Sequence, residues 1–327
     1  MKALVLKAHG GVENFLVAEV ETPKVTAGRV LIRIAAASLN PIDNKIRGGL
    51  PIGPDLPGVL GCDFAGTIEA IGEGVTGFAP GDEVYGLAGG VKGQGGTLAH
   101  YIAADYRLIA RKPANLSMRE AAALPLAAIT ARETIDRVGL KAGEQVLIHG
   151  GAGGVGHLAV QFAKEIGARV AVTVADEASA EIAKSFGAQD VIFYSQEKPA
   201  DYVQRVTGGK GFPAIIDTVG GPNLANSFEA AGLSGRIATT AARATLDLSP
   251  VHAKALTFGV VFTLIPMLYG VGKERHGQIL TEVAGLVEAG KMRPLIDERR
   301  FGLADAPSGY TLLEQGGARG KIVIDIE

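Results

Sequence analysis

A strand-like run followed by a glycine-rich turn constrains this chain more than any other stretch. An apolar run at residues 145–148 ends in small residues, and a helix-like pattern begins near Gly156. Gly151, Gly153 and Gly156 have the G-x-G-x-x-G spacing of a turn that binds a dinucleotide, where unpaired N–H groups and the helix end favour a pyrophosphate. The motif alone also fits a purely structural glycine turn, so the surrounding sequence has to distinguish the two interpretations. The residues predicted to hold the phosphates are Gly151, Ala152, Gly153, Gly154 and Val155.

The context consists of strand-like and helix-like runs that alternate along the chain. Ser117 and Glu120 have the spacing of a capping box, which begins a helical region. The strand-like runs that follow are apolar throughout, as expected where helices cover both faces of a parallel sheet. We therefore predict a doubly wound parallel sheet that binds its ligand at the carboxyl ends of the strands. The predicted strands cover residues 145–148, 169–174, 191–194, 214–217 and 235–238, and the helices 130–138, 156–166, 178–186, 201–207 and 222–231.

Residues 1 to about 118 have a different pattern, with short β-like runs separated by Gly, Pro and Asp. Short strands with closely spaced turns predict a barrel or a sandwich. After the parallel sheet, the apolar residues 255–265 predict one more buried strand, which Pro266 would close. The early strands are predicted at residues 2–7, 30–37, 63–71, 83–86 and 98–102. The tail is predicted to contain an amphipathic helix at 274–289 and strands at 294–301 and 321–326, which return it to the first domain.

Composition excludes several classes of function. Lys and Arg total 32 against 34 Asp and Glu, so the net charge of −2 gives no electrostatic footprint for nucleic acid or an anionic membrane. The longest apolar run, residues 255–267, falls short of the roughly 20 residues of a membrane span. The single Cys62 excludes an intrachain disulfide framework and fits a reducing cytoplasm. We predict a cytoplasmic protein whose partner is a small-molecule substrate, with no nucleic acid and no membrane.

Stretches spread over nearly the whole chain match one known family, in the family's order: residues 38–48, 61–66, 80–86, 151–156, 217–221 and 319–323. The chain resembles the zinc-independent quinone oxidoreductases, the zeta-crystallin-like branch of the medium-chain dehydrogenase/reductase superfamily. The resemblance implies an α/β protein with two domains and a cofactor in the cleft between them. A GroES-like irregular β-barrel would cover residues 1–120 and be completed by 267–327. A Rossmann dinucleotide-binding domain would cover residues 121–266.

Zinc has to be tested because part of this superfamily uses it. A catalytic zinc needs three N, S or O side-chain ligands. In the zinc enzymes a Gly-His-Glu run supplies one ligand, and here Gly61-Cys62-Asp63 stands at the corresponding place. Asn40 and Pro41 replace the region of another ligand, and the histidines show no ligand spacing. We therefore predict no bound metal and interpret Cys62 as a buried core cysteine.

The end of the second strand of the parallel sheet bears on the choice of cofactor. NAD enzymes usually place Asp or Glu there for the ribose 2′-OH, whereas this strand ends at Val174 without an acid. NADPH is therefore predicted, with NADH as the alternative. The resemblance places Ser179 where NADPH-using relatives often carry a basic residue, and Tyr194 at a contact near the adenosine ribose. Asp176 in the same loop would repel a phosphate. Alternatively, its carboxylate faces solvent in the first turn of a helix, where an acid also suits the helix dipole.

The resemblance also implies which residues face the nicotinamide. Asn40 matches a residue that lines the nicotinamide pocket and can bond the nicotinamide amide or the substrate oxygen; alternatively it is a turn residue before Pro41. Lys45 stands where quinone reductases commonly carry Tyr and enone reductases often carry Lys. It is either an electrophile or proton donor, or a solvent-facing lysine, while Asp43 is interpreted as a helix cap. The further predicted cofactor contacts are Thr130, Val219, Thr239, Phe262, Thr263, Leu264 and Arg319.

These observations favour an NADPH-dependent, zinc-independent reductase that transfers a hydride to a quinone or an α,β-unsaturated carbonyl compound. Both acceptors yield an oxygen anion with delocalised charge, which positioning and hydrogen bonding stabilise without a metal. Lys45 makes an enone or enal the alternative to a quinone. A non-catalytic NADPH-binding protein, structural or redox-sensing, is the rival hypothesis, since a fold does not fix a function. The apolar residues 255–265 predict a sheet edge that pairs with its copy in a homodimer.

Overall fold

The computed structural model describes residues 1–326 and contains two compact units, residues 1–126 with 264–327, and residues 127–263. In chain order the strands are β1 (Lys2–Leu6), β2 (Phe15–Glu19), β3 (Arg29–Ser38), β4 (Gly58–Val59), β5 (Asp63–Ile71), β6 (Glu83–Leu87), β7 (Tyr101–Asp105), β8 (Ile109–Arg111), β9 (Gln145–His149), β10 (Arg169–Val174), β11 (Asp190–Phe193), β12 (Phe212–Asp217), β13 (Ala231–Thr239), β14 (Thr257–Val260), β15 (Phe301–Gly302) and β16 (Val323–Asp325).

The α-helices are α1 (Pro41–Arg47), α2 (Met118–Ala122), α3 (Pro125–Val138), α4 (Gly156–Ile166), α5 (Glu177–Phe186), α6 (Pro199–Thr207), α7 (Asn223–Ala230), α8 (Ser249–Ala253), α9 (Ile265–Tyr269), α10 (Lys273–Glu288) and α11 (Ala306–Glu314). Short 3₁₀ helices cover Val12–Asn14, Tyr106–Leu108 and Leu303–Asp305. Across residues 1–326, no helix has both the length and the apolar character needed to cross a membrane.

The first unit is built on antiparallel pairing around the long strand β3. This strand pairs with β5, β7 and β16 in a sheet of order β15-β16-β3-β5-β6-β8, and a second sheet has the order β2-β1-β4. Val30, Ile32 and Ile34 alternate along β3 and are fully buried, as the period of two requires. The register places Ser38 opposite both Asp63 and Val323. The tail thus meets the end of β3 beside β5.

The second unit contains the predicted doubly wound parallel sheet, which is confirmed. Its six strands are ordered β11-β10-β9-β12-β13-β14, and every pairing between them is parallel. The central strands are apolar and buried along most of their length because helices cover them. Leu147, Phe212 and Ile215 belong to this core, together with Phe228 of α7.

The register of this sheet brings its carboxyl ends to one edge. Thr173 pairs with His149, His149 with Asp217, and Asp217 with Thr239. The chain therefore leaves each strand at nearly the same level, and the loops that follow the strands lie along this edge. The glycine-rich turn is one of those loops.

The prediction of one buried strand over residues 255–265 is wrong. Only Thr257–Val260 is a strand, it lies at the end of the sheet, and none of its residues is fully buried. Pro266 is the second residue of α9 rather than the end of a strand, since proline lacks an N–H that the first helical turn does not need. The apolar residues of 255–265 thus belong to a short edge strand and to the start of α9.

Two other predicted strands are also corrected. In residues 294–301 only Phe301 is in a strand, because Asp297 bonds the guanidinium of Arg299 and the amide of Arg319 and so folds the segment into a turn. In residues 98–102 the strand begins at Tyr101. The preceding residues pair with β1 instead, through an Ala3–Ala99 bridge, so the chain changes sheets within the predicted strand.

Candidate active site

Close packing requires two glycines in the turn between β9 and α4. A Cβ on Gly156 would lie 2.0 Å from the carbonyl oxygen of Gly150. A Cβ on Gly151 would lie 2.5 Å from the side chain of Val172 on β10. Both distances are far below a normal contact, so larger residues would force the turn and the start of α4 away from the sheet. The glycine spacing that identified the turn therefore has a packing cause here.

The turn also offers donors to an anion. The amides of Ala152, Gly154 and Val155 donate to no acceptor within residues 1–326. Val155 is the N-cap residue of α4, and no side chain caps this helix end. Free amides at a helix N-terminus, where the helix dipole is positive, fit the pyrophosphate of a dinucleotide. The residues present therefore fit the cofactor that the sequence predicts.

Two residues predicted near the adenosine ribose lie side by side. The carbonyl of Val174, at the end of β10, accepts a hydrogen bond of 3.3 Å from the amide of Tyr194. Tyr194 is 62% exposed at this edge. Asp176 caps α5, since its Oδ1 accepts from the amide of Ser179 at 2.8 Å. The acid in this loop thus has a structural role, and Ser179 contributes only a small hydroxyl side chain.

Asp217 fixes the loop that carries Val219. Its Oδ1 accepts from the amides of Val219 at 2.9 Å and Gly220 at 2.7 Å. Its Oδ2 accepts from Asn223 Nδ2 at 3.1 Å and Ser227 Oγ at 2.7 Å. Four donors satisfy this fully buried carboxylate. The loop is therefore held in one conformation, with the Val219 side chain exposed at the sheet edge.

The structure brings two predicted contacts together and adds a third residue to them. The Oγ1 atoms of Thr130 on α3 and Thr263 after β14 are 2.9 Å apart. The Thr263 hydroxyl donates to Glu133 Oε2 at 2.9 Å. Glu133 was not predicted as a site residue, although its position one turn after Thr130 places both on the same face of a helix. A carboxylate that accepts from Thr263 fixes the direction of both hydroxyls.

The other predicted contacts have different surroundings. Thr239 is buried at the end of β13, and its hydroxyl accepts from the amide of Ala241 at 3.2 Å. Phe262 is partly exposed, whereas Leu264 is buried and belongs to the first unit. Arg319, also in the first unit, has an exposed side chain, and its amide donates to Asp297 Oδ2 at 2.8 Å.

Asn40 is held between two buried charges in the first unit. Its Oδ1 accepts from Lys321 Nζ, and its Nδ2 donates to Asp63 Oδ2 at 2.9 Å. Asp63 also accepts from Ser38 Oγ at 3.0 Å and from the amide of Leu126 at 2.8 Å. Asn40 is therefore more than a turn residue before α1. Lys321 lies in one of the stretches that match the family, residues 319–323, and no role was predicted for it.

Asp43 caps α1, as predicted, and shares its carboxyl group with Cys62. The amide of Asn40 donates to Asp43 Oδ2 at 2.8 Å, and Cys62 Sγ donates to Oδ1 at 3.4 Å. Burial raises the pKa of Asp43 to about 7. Burial also raises the pKa of the Cys62 thiol well above its usual range, and nearby Asp43 and Asp63 add to the effect. Cys62 is a buried, protonated thiol.

Lys45 lies on the exposed side of α1. Its side chain is not part of the buried group around Asn40, so the structure does not join the two predicted catalytic residues by a hydrogen bond. An exposed ammonium on a short helix can reach a ligand or remain in solvent.

These donors do not fit a zinc ion. Within residues 1–326 no three His, Cys, Asp or Glu side chains are grouped closely enough to hold a metal. The ammonium of Lys321 already bonds Asn40 and approaches Asp63 at 3.4 Å, so a positive charge stands beside the possible ligands. The protonated thiol of Cys62 completes an arrangement that lacks the three deprotonated ligands of a catalytic zinc.

Two protein families match the chain. Residues 26–114 match the family described as alcohol dehydrogenase GroES-like domain, and residues 186–324 match the one described as zinc-binding dehydrogenase. The first match covers most of the antiparallel strands of the first unit. The second extends from the parallel sheet into the tail.

Several named proteins are similar over almost the whole chain. The 2-methylene-furan-3-one reductase of Solanum lycopersicum is 35% identical, over 99% of this chain and 79% of its own. The NADPH-dependent alkenal/one oxidoreductase of Arabidopsis thaliana is 32% identical with the same coverage. A quinone oxidoreductase of Pseudomonas aeruginosa is 32% identical over 99% of both chains. A solved alcohol dehydrogenase superfamily protein of Novosphingobium aromaticivorans has 40% identity, a TM-score of 0.95 and full coverage of both chains.

Proposed function

The chain belongs to the medium-chain dehydrogenase/reductase superfamily, in its quinone oxidoreductase-like branch, and on this premise we propose that it moves a hydride from NADPH to a quinone or an α,β-unsaturated carbonyl compound without a metal. It is an NAD(P)H-dependent oxidoreductase with a GroES-like domain and a Rossmann domain. The observation that carries the proposal is the turn at Gly151–Gly156, where the amides of Ala152, Gly154 and Val155 are free for a pyrophosphate. In the first unit, Asn40 is held between two buried charges.

The choice of NADPH over NADH rests on the end of β10. The strand ends at Val174 without an acid for a ribose 2′-OH, and the nearby Asp176 carboxylate caps α5. The absence of an acid at the strand end and the capping role of Asp176 support a 2′-phosphate beside Ser179 and Tyr194. The Arabidopsis relative is named as NADPH-dependent, which supports the same choice.

The metal-free part of the proposal rests on the chemistry of the acceptor. Bound NADPH supplies the hydride, and the residues of this chain position the acceptor and stabilise the oxygen that becomes negative. The amide of Asn40 can donate a hydrogen bond to that oxygen, and Lys45 supplies a proton or a positive charge from α1. A hydroquinone anion or an enolate delocalises its charge, so these donors replace the Lewis acid that a simple alkoxide would need.

The proposed contacts fall into groups that the fold supports. Residues 151–155 surround the pyrophosphate, which the free amides of Ala152, Gly154 and Val155 hold. Val174, Ser179 and Tyr194 hold the adenosine ribose and its phosphate. Thr130 and Thr263, which are hydrogen bonded to each other, contact the nicotinamide end of the cofactor. The remaining proposed contacts are Val219, Thr239, Phe262, Leu264 and Arg319.

We also propose a homodimer. The strand β14 is the last in its sheet, and Val260 is 44% exposed at its end. An edge strand with unpaired backbone groups pairs readily with a copy of itself about a two-fold axis.

Steady-state assays test the proposed activity. Purified protein with NADPH is given menadione, a quinone, or methyl vinyl ketone, an enone, and loss of NADPH absorbance is followed. We expect turnover with at least one of them and none without protein. Tight NADPH binding with no turnover over a wide panel of quinones and enones would instead favour a non-catalytic cofactor-binding protein.

A further inference from the structure

The side chain of Lys321 is an ammonium group buried in the first unit. Only 5% of the side chain is exposed. Its Nζ donates to the carbonyl of Leu39 at 3.0 Å and to Asn40 Oδ1, and it approaches Asp63 Oδ2 at 3.4 Å. An ammonium has three N–H donors, and three acceptors face this one. Lys321 therefore has no hydrogen left for solvent or ligand and acts only on the groups it touches.

Strand pairing brings this lysine to Asn40 across 281 positions of sequence. Lys321 lies just before β16, which pairs with β3 so that Val323 lies opposite Ser38. The amide of Leu39 also donates to the carbonyl of Ile322 at 2.9 Å. The backbone on both sides of the contact is thus fixed by the sheet. The ammonium lies at the start of α1, where it contacts Leu39 and Asn40.

A buried ion pair of this kind is a costly way to hold a fold together. Each buried ion loses most of its hydration, and apolar side chains of similar volume often stabilise a protein equally well or better. Lys321 and Asp63 do, however, determine something that apolar residues would leave free, which is the orientation of the Asn40 amide. With Oδ1 toward the ammonium and Nδ2 toward the carboxylate, all contacts are favourable. If the amide were flipped, its NH₂ group would face the ammonium of Lys321 and its oxygen would face the carboxylate of Asp63, and both contacts would be repulsive.

The fixed amide keeps one hydrogen unused. Of the two hydrogens on Asn40 Nδ2, one is donated to Asp63 and the other has a direction set by the planar amide. The positive charge beside Oδ1 draws electron density from the amide and makes its N–H a stronger donor, as in other chains of polarised hydrogen bonds. A strengthened donor gains most from an acceptor that becomes negative during a reaction.

We propose that Lys321 is a positioning residue of the reductase, which orients and polarises Asn40 so that the second Nδ2 hydrogen is donated to the acceptor oxygen as it becomes negative. This inference rests on the proposed function. It assigns Lys321 no direct contact with cofactor or substrate and involves no proton transfer from the lysine.

The variant for the test removes both charges, because Lys321→Met alone would leave Asp63 buried and unpaired, which is strongly destabilising. The pair Lys321→Met with Asp63→Asn keeps the side-chain volumes and the bond between residue 63 and Asn40. Asn40→Ala and the triple variant complete the set. The control is Lys254→Met, since Lys254 also donates to protein carbonyls, those of Phe228 and Ala231 at 3.1 and 2.9 Å. It precedes β14 and so lies at the opposite edge of the sheet from the glycine turn.

For each variant we would measure circular dichroism, the dissociation constant of NADPH by cofactor fluorescence, and kcat and KM with menadione and methyl vinyl ketone. We expect the charge-free pair to fold, to bind NADPH within about twofold of the wild type, and to lose at least about tenfold in kcat. In the Asn40→Ala background the same two changes should cost nothing further in kcat, since Lys321 acts through Asn40. The Lys254→Met variant should keep its kcat.

Three results would overturn the inference. A folded charge-free pair with unchanged kcat would show that Asn40 needs no polarisation. A weaker NADPH affinity at unchanged kcat would place Asn40 on the cofactor rather than on the acceptor. A further loss of kcat in the Asn40→Ala background would mean that Lys321 acts by another route. If the wild type itself turned over neither acceptor, the proposed function would fail and the inference with it; wild-type turnover with an equally fast variant rejects the inference alone.

Discussion

The hydroxyl groups of Thr130 and Thr263 are hydrogen bonded at 2.9 Å, across 133 positions of sequence. Thr263 donates in turn to Glu133, so a carboxylate fixes the orientation of both threonines at the sheet edge. Replacing Thr263 by Val removes these bonds while keeping the shape of the side chain. Because one hydrogen bond contributes about 0.5–1.5 kcal/mol, we expect NADPH to bind about three- to tenfold more weakly, as measured by cofactor fluorescence.

Thr281→Val is the matched control for this change. The hydroxyl of Thr281 donates only to the carbonyl of Gly277 on the surface of α10, in the other unit. Its loss should leave NADPH affinity unchanged. Equal affinities for wild type and Thr263→Val would remove the threonine pair from the proposed cofactor site.

A positive charge at position 179 should strengthen the preference for NADPH. The Ser179 side chain lies on the first turn of α5, two residues after the exposed start of the helix, and brings no charge. Ser179→Lys would add a charge-assisted bond to a 2′-phosphate, and we expect about tenfold tighter NADPH with NADH unchanged. Parallel titrations with both cofactors measure this. Ser185→Lys, near the end of the same helix, should change neither; an equal gain for NADH would reject a phosphate site here.

Asp43 should make stability fall as the pH rises from about 4 to about 7. Burial raises the pKa of Asp43 from 3.8 to about 7, repulsion from Asp63 adds to the rise, and the Asn40 amide, the Cys62 thiol and Lys321 oppose it. Over this interval the folded protein keeps a proton that the unfolded chain releases. The free energy of unfolding therefore decreases with pH, by at most about 1.4 kcal/mol per pH unit, and levels off above pH 7.

Urea unfolding of the wild type and Asp43→Asn at several pH values isolates this contribution from that of other carboxylates. The amide side chain of this variant still accepts from the Asn40 backbone N–H but does not titrate. We expect the difference in unfolding free energy, wild type minus variant, to decrease steadily from acid to neutral pH. Parallel curves for the two proteins would mean that Asp43 titrates at its ordinary pKa.

A lysine on the edge of β14 should prevent the proposed dimer. Edge lysines block strand pairing because a charge cannot be buried between two sheets. Light scattering of the wild type should give twice the mass of one chain, and Val260→Lys should give the mass of one chain. Val271→Lys, at an exposed position outside the sheet, should remain dimeric. A wild type that is monomeric at working concentration would refute the dimer.

Local features of this protein were predictable from its sequence, and long-range ones were not. The turn at Gly151–Gly156 could be predicted because a strand, three glycines and a helix are contiguous in sequence. The cap formed by Asp43 could be predicted because it lies next to the helix that it caps. The contact between Lys321 and Asn40 could not be predicted, since it depends on the pairing of β16 with β3. Residues 255–265 were wrongly predicted as one buried strand because the same apolar composition also fits a short edge strand followed by the start of a helix.

Hydride transfer itself is the most direct test of the proposed activity. NADPH carrying deuterium at C4, in either of its two epimeric forms, is incubated with the protein and methyl vinyl ketone, and the product is analysed by mass spectrometry. When the protein reduces this enone, we expect saturated ketone with one deuterium on the former β-carbon, from one epimer only. Saturated ketone without deuterium from either epimer, or NADPH that binds with no product over a wide acceptor panel, would contradict it.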